Sequence, residues 1–284
     1  MNASTNGNRW IAVQVLVVFV LFGLPPRFSA QGTLHTQSHS APPQTWKDGN
    51  SNQPSPPQQL TVDQVVCQMV RRNLERAEAL QGFQSTRVYH LQYRGFPGSR
   101  EAEMTVHVVY RAPDSKQFTV VSQTGSKIIL DRVFAKLLEG EQESMKEENR
   151  ARTALNSDNY NFALAGYETA GSASNYILQV EPKVPSKFLY RGKVWIDAKD
   201  FAVSRIEVEP AKSPSFWTKK SDIRHVYTRV DGFWLPQQNV SVSSIRLGGQ
   251  ATLTIDYKDY KIADGSVARL ALKEAKSSLT PAAR

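Results

Sequence analysis

Tyr190-Arg191-Gly192-Lys193-Val194-Trp195-Ile196-Asp197, followed by Val203-Ser204-Arg205-Ile206-Glu207-Val208, decides the fold. Val194 and Ile196 fall on one side of an alternating run, and Ile206 and Val208 repeat the pattern. Lys193, Asp197, Arg205 and Glu207 fall on the opposite side. A period of two puts successive side chains on opposite faces of a strand, so both segments read as strands with one apolar and one wet face. Only residues 198–200 separate the strands 186–197 and 201–209, too few for a crossover helix, so the pair is antiparallel.

The same alternation extends in both directions. Downstream it predicts strands at 222–230, 233–247 and 250–262, with Leu253, Ile255 and Tyr257 on one face against Thr252, Thr254, Asp256 and Lys258. Upstream it predicts strands at 160–169 and 173–182, the second presenting Tyr176, Leu178 and Val180. Three further strands lie before these. Tyr89, Leu91 and Tyr93 share a face; Met104, Val106, Val108 and Tyr110 share another; Phe118 and Val120 alternate with Thr119 and Val121. Gly95-Phe96-Pro97-Gly98 and Ala112-Pro113-Asp114 supply turns between them. About ten consecutive antiparallel strands make a mainly β, α+β chain built on a large curved antiparallel sheet or barrel.

Two helical segments interrupt the strands. Thr61 and Gln64 have capping-box spacing, and Val62, Val65, Val66, Met69, Val70, Leu74, Ala77 and Leu80 recur at helical period before Gly82. Cys67 lies among these apolar residues and reads as a core residue rather than a nucleophile. Residues 129–158 carry apolar positions at 130, 133, 134, 137 and 138 and then a mixed run of Glu, Lys and Arg; they read as a helical insertion, a candidate lid. Residues 263–284 read as a flexible tail.

The chain has 284 residues, with 35 Lys+Arg against 26 Asp+Glu, and 40% apolar residues. That is enough for a sizeable core. The single cysteine rules out a disulfide scaffold, and no apolar run reaches the roughly 18 residues of a confident membrane span. Arg9, the apolar stretch Ile11 to Leu24, Pro25-Pro26 and Phe28-Ser29-Ala30 have the layout of a secretory signal over residues 1–30, with cleavage after Ala30 or retention as an inner-membrane anchor. The Gln-, Ser- and Pro-rich residues 31–60 read as a disordered linker, leaving 61–262 as the folded domain of an exported chain.

No catalytic or metal-binding spacing joins His35, His39, His90, His107 and His225, and no nucleophile stands beside a base, so the chain reads as a non-enzyme with no cofactor and no metal. The basic residues are scattered and lack interleaved aromatics, against nucleic-acid binding. Two short helices cannot cover ten strands. Either the sheet closes on itself around a packed core, or an apolar cleft remains that suits an acyl chain. The concave face of such a cleft would carry Leu91, Tyr93, Val106, Val108, Phe118, Val120, Leu178, Val180, Val194, Ile196, Ile206, Val208, Leu253, Ile255 and Tyr257.

The paired stretch 190–197 and 203–207, the Ser213-Pro214-Ser215-Phe216-Trp217 loop, Phe233-Trp234-Leu235-Pro236 and Leu253-Thr254-Ile255-Asp256-Tyr257 together resemble the larger bacterial members of the LolA-like family of outer-membrane lipoprotein-sorting proteins. The resemblance spans roughly residues 61–262. It implies a periplasmic protein, an incomplete β-barrel lidded by helices, a cavity for acyl chains of lipid or lipoprotein, handover between inner- and outer-membrane envelope proteins, and a strand arginine that holds the lid without singling out which. It also leaves open a sensor or protein-interaction scaffold on the same fold, with Phe216 and Trp217 as contact residues.

Overall fold

Thr61 and Gln64 cap the first helix reciprocally: the Gln64 N–H donates to Thr61 Oγ1 at 3.3 Å and the Thr61 N–H donates to Gln64 Oε1 at 2.9 Å. They open α1, Val62–Ala79, in a computed structural model that describes residues 60–279 except 172, 214–217 and 247. The expected signal, the linker up to residue 59, and Phe216 and Trp217 lie outside the described residues.

Ten strands follow: β1 (Gly82–Gly95), β2 (Arg100–Arg111), β3 (Ser115–Gly125), β4 (Tyr160–Ala170), β5 (Ala173–Pro182), β6 (Tyr190–Asp197), β7 (Val203–Pro210), β8 (Thr218–Val230), β9 (Phe233–Ile245) and β10 (Gly249–Ile262). They form one antiparallel sheet in the order β3-β2-β1-β10-β9-β8-β7-β6-β5-β4. Chain neighbours pair as hairpins, and the one long-range pairing, β1 with β10, joins the two ends of the domain. Strands β3 and β4 remain at opposite edges, so the sheet curves without closing into a barrel.

The alternation reads through into burial. Leu178, Val194, Ile196 and Ile206 face inward, beneath Val65, Val66 and Met69 of α1. Leu91, Val106, Val108, Leu253 and Ile255 face inward beneath a second cover. That cover is α2 (Lys127–Ile129), a π-helical turn at Leu130–Phe134 and α3 (Ala135–Ser144), with α4 (Glu147–Thr153) leading to β4. Ile129, Val133, Phe134 and Leu137 supply its contact stripe.

Three expectations need correction. Cys67 is exposed, because Val65, Val66 and Met69 turn toward the sheet and a residue two positions from Val65 points away. Val120 pairs with Val106 but is 44% exposed, since β3 is an edge strand and the cover does not reach its far end. Residues 266–279 are not a loose tail: they form α5 (Ser266–Leu279), whose Leu270 is buried against Phe233, Leu235 and Leu80. On the outer face of β6, Trp195 is buried by packing: Arg205 stacks 3.8 Å from its ring centroid and its indole N–H donates to Glu168 at 2.8 Å.

Candidate functional site

The inward faces of β8 and β9 do not match the rest of the sheet. On β9 the alternating run Asn239-Val240-Ser241-Val242-Ser243 turns its valines outward and buries Asn239, Ser241 and Ser243. On β8, Thr218, Ser221 and His225 are buried beside them. Ser221 and Ser243 hydroxyls meet at 2.7 Å, and the Asn239 amide donates to His225 Nδ1 at 3.4 Å. A polar stripe therefore runs down the middle of the concave face. It divides the sheet's apolar lining into one half under α1 and another under α2–α3.

Between the two covers, over one end of this stripe, lies a cavity of about 110 Å³. Its apolar walls are Ala77 and Leu80 from α1, Phe83, Tyr110, Met145, Phe233 and Leu235. Its polar lining brings together Arg87 of β1, Lys116 of β3, Glu141 of α3, His225 and Tyr227 of β8, and Tyr257 and Tyr260 of β10. Arg76 and Asn73 close the α1 side, where Arg76 Nη1 donates to the Asp200 carbonyl at 2.9 Å.

The centre of the site is an ionic cluster sealed from solvent. Arg87 Nη1 donates to Glu141 Oε2 at 2.7 Å, and Lys116 Nζ donates to Glu141 Oε1 at 2.5 Å. All three side chains are below 5% exposed. Arg87 also lies over the Tyr257 ring, 5.0 Å from its centroid. Burial pushes the Glu141 carboxyl up, but the two cations outweigh it and hold it at about 2. Burial opposes the Arg87 charge, yet Glu141 holds it charged, well above its ordinary range. Lys116 is held below its ordinary value, because burial and the neighbouring guanidinium outweigh the shared carboxylate. Burial, with Arg87 nearby, pushes His225 down to about 4 and keeps the imidazole neutral.

The fifteen apolar positions expected on the concave face fall, Val120 apart, into two groups beneath the covers. Leu91, Val106, Val108, Leu253 and Ile255 lie beneath α2–α3, with Tyr93 and Phe118 packed at the margin. Leu178, Val180, Val194, Ile196 and Ile206 lie beneath α1, with Val208 at its margin. Of the fifteen, Tyr257 alone reaches the cavity, and Val120 lies outside both groups. The sequence reading missed Arg87, Lys116, Glu141 and His225. A signal did exist: Ser85, Arg87, Asn239, Ser241 and Ser243 each occupy an inward register where a fully apolar face needs a hydrophobe. His90, by contrast, pairs with Glu101 at 2.6 Å at the surface, and among the described residues no group of three or more His, Cys, Asp or Glu could hold a metal ion.

No protein-family model and no curated protein sequence matches the chain. Among solved structures it is similar to a LolA superfamily protein from Nitrosomonas europaea, at 12% identity over 72% of this chain and 95% of that one, with a TM-score of 0.33. It is similar to a DUF1329 family protein from Desulfovibrio piger, at 15% identity over 72% and 94%, with a TM-score of 0.36. It is also similar to a putative outer membrane lipoprotein-sorting protein domain from Vibrio parahaemolyticus, at 10% identity over 72% and 97%, with a TM-score of 0.32.

Proposed function

We propose that this chain is an exported, periplasmic protein that binds the acyl chains of lipid or lipoprotein without covalent chemistry, as a carrier within the cell envelope. The observation that carries the reading is the ion cluster joining α3 to the sheet across a cavity. Three charges have been taken out of water to hold one helix down, where an apolar contact of the same size would hold it at least as well. Such a contact suits an element with two positions, because the charges regain water when it lifts. The cover is otherwise lightly tied. In α3, only Leu137 and Glu141 are buried, Gly140 weakens the helix, and a π turn precedes it.

Lifting α2–α3 uncovers Leu91, Val106, Val108, Leu253 and Ile255 on the concave face. An acyl chain laid over them replaces Val133, Phe134 and Leu137. At about 0.8 kcal/mol per buried methylene, a dodecyl chain contributes enough to offset both the lost helix contacts and the ordering of the ligand. The half under α1 stays packed and acts as a fixed wall.

Native mass spectrometry of the protein purified from its own envelope, with lipid extraction, tests this. A stoichiometric acyl species supports the reading and names the cargo class. A bare mass, together with no uptake of a fluorescent fatty acid, overturns it in favour of a sensor or interaction scaffold.

A further inference from the structure

The charges and hydrogen-bonding groups around the cavity do not balance, and the imbalance has one sign. Among the described residues its charged lining is Arg76, Arg87 and Lys116 with the carboxylate of Glu141. Arg76 is engaged elsewhere, by the Asp200 and Phe201 carbonyls and by Asn73. Among the described residues the buried Arg87 and Lys116 thus share the Glu141 carboxylate, and buried charge is costly unless it is paired and hydrogen-bonded. The neutral groups lean the same way. Tyr227 and Tyr257 hydroxyls and His225 Nε2 are buried with no hydrogen-bond partner among the described residues. With Asn239 donating to Nδ1, we assign the proton of the neutral imidazole to Nε2, so all three are available donors. Among the described residues that line the cavity these unpartnered neutral groups are therefore donors; Asn239 Oδ1, an unpartnered acceptor, lies outside the lining on the Nδ1 side of His225.

The origin of each group matters as much as the count. Both cations belong to the sheet, Arg87 on β1 and Lys116 on β3, whereas their carboxylate belongs to the cover, on α3. When the cover lifts, the cations stay and the anion leaves. A cationic ligand would meet two fixed positive charges. An anionic one would find its counter-charges already placed, with Arg87 beside Tyr89 and Phe118 at the margin of the apolar face that the lifted cover exposes to the acyl chain.

We infer that Glu141 occupies the head-group site of an anionic amphiphile, whose carboxylate or phosphate takes its place between Arg87 and Lys116. The Tyr227, Tyr257 and His225 donors complete the shell around its remaining oxygens. This assignment rests on the acyl-binding reading and narrows it to anionic ligands. It also gives Glu141 a second role: besides holding α3, it competes with the ligand's own anion.

The test measures binding of dodecanoate, dodecyl phosphate, dodecanol and inorganic phosphate to the full chain by isothermal titration calorimetry. Wild type, Lys116→Met and Glu141→Gln are compared after circular dichroism has shown that each folds. A charge-assisted pair predicts that both anionic amphiphiles bind about tenfold or more tightly than dodecanol. Lys116→Met is expected to reduce that ratio toward one. Glu141→Gln is expected to raise it, whereas loss of a mere latch would strengthen all three amphiphiles equally and leave the ratio where it was. If Lys116→Met does not fold, the ratio in the near-isosteric Glu141→Gln decides alone. A wild-type ratio near one, with dodecanol bound, overturns the anion site and leaves the acyl reading standing. Binding of none of the three overturns both. Inorganic phosphate bound as tightly as dodecyl phosphate overturns the amphiphile and assigns the site to a free anion.

Discussion

Arg87 and Glu141 stand 54 residues apart in the chain and meet at 2.7 Å, with 3% and 0% of their side chains exposed. One belongs to the sheet and the other to its cover, so this ion pair, together with that of Lys116, ties the helix to the sheet. The attraction is strong at that depth, but so is the cost of dehydrating both groups. Arg87→Met leaves Glu141 buried with one cation instead of two and is expected to cost about 3–5 kcal/mol in urea denaturation. The triple variant Arg87→Met, Lys116→Met, Glu141→Leu removes every charge at once and is expected to regain most of that loss. A triple variant as unstable as the single one would show that the cluster is a net source of stability and not a device for positioning α3.

Acid is expected to weaken the fold in two stages. His225 titrates at about 4 in the folded chain against an ordinary 6.5, so on acidification the unfolded chain takes up this proton first. Stability is therefore fully present above pH 6.5 and falls between 6.5 and 4, by on the order of 3 kcal/mol. Glu141, at about 2 against an ordinary 4.5, continues the loss in the same direction between pH 4.5 and 2. Urea midpoints at pH 7, 5.5 and 4 measure the first stage. His225→Phe should flatten it and leave the second, and an unchanged slope in that variant would place the titration elsewhere.

The cavity can be filled from α1. Ala77 is 5% exposed and lines it, so Ala77→Leu adds apolar volume to a space of about 110 Å³. The thermal midpoint is expected to rise, or to fall by no more than the equivalent of about 1.5 kcal/mol. Fatty-acid uptake is expected to drop about tenfold, a difference of about 1.4 kcal/mol in binding. Full uptake by a stable, filled variant would move the ligand away from this cavity.

Gly192 of the Tyr190–Asp197 strand has φ +142°, and a Cβ there would collide with the Glu207 carbonyl oxygen of the paired strand β7. Gly192→Ala must either strain the backbone or part β6 from β7. A loss of about 2 kcal/mol or more is expected in chemical denaturation. A variant as stable as wild type would show that the two strands can separate there at little cost.

Most of the fold could be read along the chain because it is local. Strand periodicity records which face of each segment is buried, short connections force antiparallel neighbours, and Thr61 with Gln64 marks a helix start. The same logic failed where burial depends on distant segments. Ser266 and Leu270 are buried only because β1, β9 and the end of α1 leave room for α5, and Gln81 donates its N–H to Ser266 Oγ at 3.1 Å. Cys67 was misplaced because its neighbours are apolar on both sides of the chain, while the helix turns them to one side in space.

The site was nearly invisible for a related reason. Arg87, Lys116, Glu141 and His225 are spread across three strands and one helix, and nothing in their spacing announces that they meet. By itself the sequence determined the alternating faces, the antiparallel order of neighbours and the two main covers, because each follows from a periodicity or a loop length within one segment. The tertiary structure alone decided that β1 closes onto β10, that the polar inward faces of β8 and β9 lie between two apolar halves, and that a carboxylate from the cover rests between two cations of the sheet. Those relations depend on how strands far apart in the chain are laid side by side, and dehydrated charges attract strongly only once the whole sheet has brought them within hydrogen-bonding distance.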